Sequence, residues 1–196
     1  MYKTAVDYRF SDIAGVLASI NIFKQLFYKT NFIYGFGRNE DIPEGFSVAL
    51  TAGYAKIRNL NRPYSGLDMS LTNLKKKGLS FNYTFLIGGF YYQKHFEFVN
   101  LLFNVEHFTS LKKVKSNWYQ RTFINTGITT QINPVLNEPL YLNSDFGFRY
   151  FDNGDIRSDL RLTIKTESVF YNTKKILGFR FAPFVFADAS LLKPKT

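Results

Sequence analysis

Few residues of this chain have types and spacings that could do chemistry. The most conspicuous charge is Asp188, which lies near the end of the aromatic run "GFRFAPFVFADAS" at residues 178–190. A buried carboxylate is costly unless a cation meets it, so Asp188 predicts a basic partner. His95 and His107 lie twelve residues apart without metal-site spacing, and no Ser, His and acid constellation can be assembled. We therefore expect no catalytic residue, no metal and no cofactor, and a protein that is not an enzyme.

Composition favours a chain in which apolar and polar residues alternate. Phe and Tyr number 22 and 13 among 196 residues, yet the mean hydropathy is only -0.15. The absence of cysteine excludes disulfides and thiolate sites. A formal net charge of +10 suits either nucleic acid or an anionic membrane surface. Because the lysines cluster at turns and form no stripe with interleaved aromatic residues, we expect no nucleic-acid partner.

A period of two, which is the signature of β-strands, runs through most of the chain. In "LSFNYTFLIGG", residues 79–89, the large residues share one face and the serine, asparagine and threonine share the other. In "DLRLTIKTESVF", residues 159–170, the same parity places Glu167 with Arg161 and Lys165 on the polar face. We predict about eight or nine strands, many of roughly 10 to 14 residues, which exceeds the usual length in globular sheets.

Strand length and pattern together favour a transmembrane β-barrel, whose strands present apolar side chains to lipid and polar ones to the lumen. Soluble barrels and sandwiches alternate too, with the apolar face inward, and the alternation alone does not report which face is inside. Long strands, a small and charged polar face, and Tyr and Phe near strand ends favour the membrane. We expect an all-β, antiparallel, up-and-down transmembrane β-barrel; a soluble β-barrel that binds small apolar ligands stays open.

The turns predict how the two ends of this sheet differ. Lysine-rich turns at residues 74–78, 111–117 and 172–178 are separated by even numbers of strands and should lie at one end. A long connection, residues 133–156, falls at the opposite end, where its prolines resist a regular strand. In outer-membrane barrels the short turns face the periplasm and the long loops face outward. We therefore expect residues 133–156 to be an irregular loop, partly tucked against the polar face.

Several segments resemble the barrel region of BamA/TamA-like outer-membrane assembly proteins, the bacterial surface antigen family, in the branch common among Bacteroidota. The segments are "NFIYGFGRNEDIPEGFSVALTAGY", "NRPYSGLDMS", "LNSDFGFRYFDNGDIRSDLRLTIKTESVF" and "LGFRFAPFVFADASLL". The resemblance extends from about residue 25 to 192 and implies a sixteen-stranded barrel. Residues 1–196 are therefore expected to be a fragment, a partial outer-membrane β-barrel domain with a lid-type loop at 133–156.

The resemblance also implies a function and a location. It implies an assembly or translocation barrel in the outer membrane of a Gram-negative bacterium, acting in insertion or translocation of proteins. The implied partners are outer-membrane lipid, client outer-membrane proteins and periplasmic assembly factors. An outer-membrane porin or structural barrel without insertase activity is the alternative.

Family members carry a Val-Arg-Gly-Phe type motif on a loop that folds back into the lumen. Its counterpart here is Gly147, Phe148, Arg149, Tyr150 and Phe151, with Tyr150 in place of the motif's glycine.

The family's loop arginine docks on acidic side chains of the inner wall, and the matching positions are Glu167 and Asp188. Ser190 stands where the family has glycine. We accordingly expect Arg149 to lie within salt-bridge reach of Glu167, Asp188 or both. Without the resemblance, Asp188 is as readily explained as the solvated end of a strand.

Overall fold

The structure, a computed structural model, describes residues 12–33, 35–57, 59–75, 78–134, 140, 142, 144, 146–148 and 158–194. This part of the chain forms one antiparallel sheet. Its strands are β1 (Ile13–Thr30), β2 (Glu40–Ile57), β3 (Leu60–Lys75), β4 (Leu79–Tyr92), β5 (His95–Phe108), β6 (Lys112–Lys115), β7 (Trp118–Ile132), β8 (Ser158–Asn172) and β9 (Phe184–Pro194).

The strand order is β1-β2-β3-β4-β5-β7-β8-β9, and the short β6 pairs with β7. The predicted all-β, antiparallel, up-and-down arrangement is confirmed, and most strands are longer than expected, with 18 residues each in β1 and β2. In the described part of the chain no pairing joins β1 to β9, so the sheet has two edges there. The same residues include no helix that is long and apolar enough to cross a membrane.

Alternation along most strands gives the sheet a mostly apolar and a mostly polar face. The edge strands β1 and β9 depart from it, because Phe23 and Phe186 are exposed on the polar side. On the apolar face Leu50, Met69 and Ile164 are exposed although each lies in the middle of its strand. On the polar face Asn104, Arg121 and Thr163 are buried. The polar face also buries apolar side chains, such as Leu102 and Val169, but the large apolar side chains of the other face are exposed. A soluble sheet would cover that apolar face.

Aromatic contacts across the polar face require the sheet to curl around it. Phe32, in the connection between β1 and β2, packs on Tyr119 of β7 and Tyr171 of β8, with ring centroids 5.7 and 5.3 Å apart. Phe36 of the same connection lies 6.0 Å from the Tyr171 ring, and the Tyr171 hydroxyl donates to the Ile33 carbonyl. Strands are spaced about 4.8 Å apart, so β2 and β8 of a flat sheet would lie about five such steps apart. The polar face is therefore the concave one.

The predicted grouping of the lysine turns is confirmed for their described residues. The β3–β4, β5–β7 and β8–β9 connections lie at one end of the sheet, which places Lys75, Lys112–Lys115, Lys174 and Lys175 together there. Lys76 and Lys77 lie outside the described residues. The connections between β2 and β3, β4 and β5, and β7 and β8 lie at the opposite end.

Candidate functional site: the concave polar face

One row of residues crosses the polar face through every strand of the main sheet. Cross-strand partners in register connect its eight members, which are Gln25, Gly45, Thr72, Asn82, Glu106, Asn125, Lys165 and Asp188. We call this set the polar row. Each of the eight members comes from a different strand, and all except Gly45 have polar side chains. The period of two places them on one face, and the strand register sets them at one height.

Side-chain hydrogen bonds join the centre of the polar row. The Thr72 hydroxyl donates to Asn82 Oδ1 at 3.1 Å. Glu106 then accepts one amide proton on each carboxylate oxygen, from Asn82 Nδ2 at 3.2 Å and from Asn125 Nδ2 at 3.0 Å. A carboxylate that bridges two amides in this way fixes the relative positions of β4, β5 and β7.

Glu167 and Asp188 both lie on the polar face, where the resemblance placed them. Asp188 is directly opposite Lys165, and Glu167 is two residues further along the same strand as Lys165. For Glu167 this position agrees with the parity of β8 in the sequence. For Asp188 the sequence pattern left the face open, and its register with Lys165 shows that it lies on the polar face. The two carboxylates border a basic side chain of the wall itself, Lys165.

The connection between β7 and β8 contacts the concave wall at Arg161 of β8. The sequence pattern places Arg161 on the polar face and assigns it no role. Arg161 Nη1 donates to the Ser144 hydroxyl at 2.7 Å, and Nη2 donates to the Thr129 hydroxyl at 3.3 Å. Gly147 is buried here, and a Cβ added to it would clash with the Leu142 carbonyl oxygen. Among the described contacts, this part of the loop therefore rests on a wall arginine.

Of the five predicted motif residues, the structure describes two. Gly147 lies against Arg161, and the backbone N–H of Phe148 donates to the Leu142 carbonyl at 2.6 Å. Arg149, Tyr150 and Phe151 lie outside the described residues. The expected pairing of Arg149 with Glu167 or Asp188 thus stays a prediction, as does the lid-type loop at 133–156.

At the lysine end, the concave face is covered by the aromatic cluster of Phe32, Phe36, Tyr119 and Tyr171. Beneath this cluster lies Arg121, whose side chain is 1% exposed. Its guanidinium stacks over the Phe108 ring at 5.0 Å, a cation–π contact.

At the opposite end, an ion pair ties two hairpins together. Arg62 Nε donates to Glu97 Oε2 at 2.9 Å, and the two side chains are 4% and 14% exposed. Arg62 Nη1 also donates to the Ile57 carbonyl at 2.9 Å, and its guanidinium lies 4.7 Å from the Tyr92 ring centroid. Every one of these partners is at a strand end, so Arg62 joins the β2–β3 turn to the β4–β5 turn.

A cavity of about 360 Å³ lies on the concave face between the polar row and the aromatic side chains next to it. Glu106, Lys165 and Glu167 supply its charges, and Phe108 and Phe123 supply apolar surface. No group of three or more potential metal ligands occurs among the residues that the structure describes. The face offers hydrogen-bond donors and acceptors along a curved wall, which suits the binding of polar chain segments or solvent.

Comparison of the chain with protein-family models, with curated proteins and with solved structures finds no match.

Proposed function

We propose that this chain forms one wall of an outer-membrane β-barrel of the assembly or translocation type. It would act in the insertion or translocation of proteins at the outer membrane of a Gram-negative bacterium. The observation that carries the proposal is the exposure of large apolar side chains on the convex face, opposite a concave face that carries most of the polar side chains. Lipid around the barrel and solvent within it would satisfy both faces.

The dimensions of the apolar face support a membrane setting. On β4, the outward-facing Tyr83 and Tyr91 lie eight residues apart, about 26 Å along the strand at 3.3 Å per residue. Residues between them on the same face include Phe85 and Ile87. An apolar band about 25 Å tall between aromatic girdles is typical of outer-membrane barrels.

Two connections that cover the concave face favour assembly or translocation over diffusion through an open pore. The aromatic cluster covers the lysine end, and the segment that contains Ser144 and Gly147 rests on Arg161. A general porin keeps an aqueous channel. No covalent step belongs to this proposal, because the wall would act by shape and hydrogen bonding.

The proposal is tested with proteoliposomes that contain the full chain. A small outer-membrane barrel is diluted from urea into them, and its folding is followed by protease protection. We expect faster folding than in empty liposomes, together with little steady ion conductance across a planar bilayer. Steady conductance without faster client folding would instead support the porin or structural alternative.

The docking of the loop is tested separately through Arg149. We expect Arg149→Ala to increase protease cleavage within residues 133–156, because the loop would lose its charged contact with the wall. Asp188→Ala should reproduce the effect, whereas Lys112→Ala, in a turn at the other end, should not. Unchanged cleavage in Arg149→Ala would remove the basis for a lid-type loop.

A further inference from the structure

Positive charge is concentrated at one end of the sheet. Lys75 and residues 111–117 and 172–180, which we call the lysine rim, contain six lysines and one arginine and no Asp or Glu. The sequence between β7 and β8, residues 133–156, contains four acidic residues and one arginine. The lysine rim therefore carries seven positive charges.

Three of these lysines lie on the apolar side of the sheet. Lys75 has the parity of Met69, and its Nζ lies 5.9 Å from the centroid of the Phe81 ring. Lys112 pairs with Gln120 and Lys115 pairs with Trp118, both on the side of β7 that carries its isoleucines. The three ammonium groups are thus attached at the border of the apolar face.

Aromatic rings lie at the same border. Phe81 stacks on His107 with centroids 4.2 Å apart and lies 6.1 Å from Tyr83, and all three face outward. Trp118 begins the adjacent β7. Lysines whose alkyl stems lie on apolar surface, beside Trp and Tyr, are typical of the interface between hydrocarbon and headgroups.

The β8–β9 connection, beyond the ends of its strands, also combines exposed apolar side chains with basic ones. Ile176 and Phe179 exchange backbone hydrogen bonds of 2.8 and 3.0 Å around a tip in which Leu177 and Gly178 have positive φ. The Leu177 side chain is 92% exposed, and Ile176, Phe179 and Phe181 are exposed as well. Lys174, Lys175 and Arg180 flank this apolar tip. Exposed apolar tips flanked by basic residues match a surface with anionic headgroups above hydrocarbon.

We propose that the lysine rim binds the anionic headgroups of a phospholipid leaflet, with the tip at Leu177 immersed among them. The inference rests on the proposed membrane location. It adds the class of lipid that is bound and the end of the sheet that binds this lipid. Charge complementarity favours anionic lipid over a second copy of the chain, whose lysine rim would repel this one. The phosphates would lie beside Lys75, Lys112 and Lys115, within reach of their ammonium groups.

The test is the partitioning of the full chain into two kinds of vesicle, phosphatidylcholine alone and phosphatidylcholine mixed with phosphatidylglycerol. The rim variant combines Lys75→Gln, Lys112→Gln and Lys115→Gln. The control variant makes the same change of charge at the opposite end, with Lys56→Gln, Lys94→Gln and Lys193→Gln. A lysine near an anionic surface contributes about fivefold to partitioning, which corresponds to about 1 kcal/mol.

We expect the wild-type chain to prefer the anionic vesicles, and the rim variant to lose on the order of tenfold or more of that preference. The control variant should keep most of it. Equal partitioning of all three proteins into anionic vesicles would overturn the inference while leaving the membrane barrel intact.

Two further outcomes distinguish failure of the proposed membrane location from failure of the assignment to lipid. If the wild-type chain enters neither kind of vesicle, the proposed membrane location fails and the inference fails with it. If transfer RNA at equal phosphate concentration displaces the chain from anionic vesicles, the lysine rim recognises polyanions in general and the assignment to lipid is overturned. Persistence of partitioning in the presence of transfer RNA supports the assignment.

Discussion

Along β8, neighbouring residues experience opposite surroundings. Arg161 and Thr163 on the concave side are 4% and 3% exposed, whereas Leu162 and Ile164 on the convex side are 40% and 48% exposed. On the concave side Arg161 makes directional contacts with Ser144 and Thr129. The convex side carries side chains without such contacts and is suited to a fluid apolar environment. The two faces are therefore expected to tolerate different changes, because the position of a side chain matters on the concave face and only its polarity matters on the convex face.

The largest effect on the concave face is expected from Arg62→Ala. Removing one partner of a buried ion pair leaves Glu97 uncompensated, which costs roughly 3–5 kcal/mol in the free energy of unfolding. The measurement is urea unfolding of the full chain refolded into lipid vesicles. A loss below about 1 kcal/mol would contradict the view that directional contacts hold this face.

A double variant serves as the control for Arg62→Ala. Arg62→Met combined with Glu97→Met replaces the pair by apolar side chains and leaves no buried charge alone. We expect it to be markedly more stable than Arg62→Ala, because the cost comes from the orphaned carboxylate. If the double variant is the less stable of the two, the cost comes from lost packing around Tyr92 instead.

Two adjacent residues of β3 test the comparison between faces. Met69 is 43% exposed on the convex side, and Ser70 lies on the concave side. Met69→Arg should lower the free energy of unfolding in a bilayer by about 2–4 kcal/mol, because it places a charge in hydrocarbon. Ser70→Arg should cost much less, since it enters a polar lumen. Equal losses would mean that the two faces are not distinguished by lipid.

The fold was largely predictable from the sequence, because polar and apolar residues alternate along most of the strands. Parity in "DLRLTIKTESVF" placed Glu167, Lys165 and Arg161 on one face, and the register of β8 agrees. Even the grouping of the lysine turns followed from counting strands. The alternation does not show which face is concave. Curvature depends on contacts between distant parts of the sheet, such as that of Phe32 with Tyr171.

The site was less predictable, because it depends on register between strands. Nothing local marks Thr72, Asn82, Glu106 and Asn125 as neighbours, since they come from four strands. The role of Arg161 was missed for the same reason. The parity of Arg161 follows from the sequence, but its hydrogen bond to Ser144 depends on the path of a loop that has no periodicity. An arginine with polar-face parity at the start of β8 was the one signal that could have indicated a wall contact.

Gly147→Ala is expected to have an intermediate effect on the concave face. The added methyl group would clash with the Leu142 carbonyl oxygen and lie 2.9 Å from Arg161 Nη1, so this part of the loop would have to shift. Overpacking of this kind costs roughly 1–3 kcal/mol. Increased protease cleavage within residues 133–156 would report the shift.

Gly35→Ala provides the matched control for Gly147→Ala. A Cβ at Gly35 meets its nearest neighbours at 3.5 Å, which is ordinary van der Waals contact. Cleavage of this variant within residues 133–156 should equal that of the wild type. If both variants behave alike, the close contact between Gly147 and the wall has no effect on the loop.

The smallest effect is expected in the polar row, from Glu106→Ala. Glu106 is exposed on the concave face, so water can replace its bonds to Asn82 and Asn125, and the loss should stay below about 1 kcal/mol. Urea unfolding measures it, with Asn100→Ala, an exposed residue elsewhere on β5, as the control. A loss above about 2 kcal/mol would show that the row is a tightly coupled network.

A spin-label scan along β3 tests most directly whether the convex face meets lipid and the concave face meets water. The chain contains no cysteine, so single cysteines at successive positions 67–72 of β3 can each carry a nitroxide label without background. In bilayers we expect accessibility to oxygen to be high at Leu67, Met69 and Leu71. Accessibility to a water-soluble nickel complex should be high at Asp68, Ser70 and Thr72. Loss of this alternation, or its reversal, would contradict a membrane barrel wall.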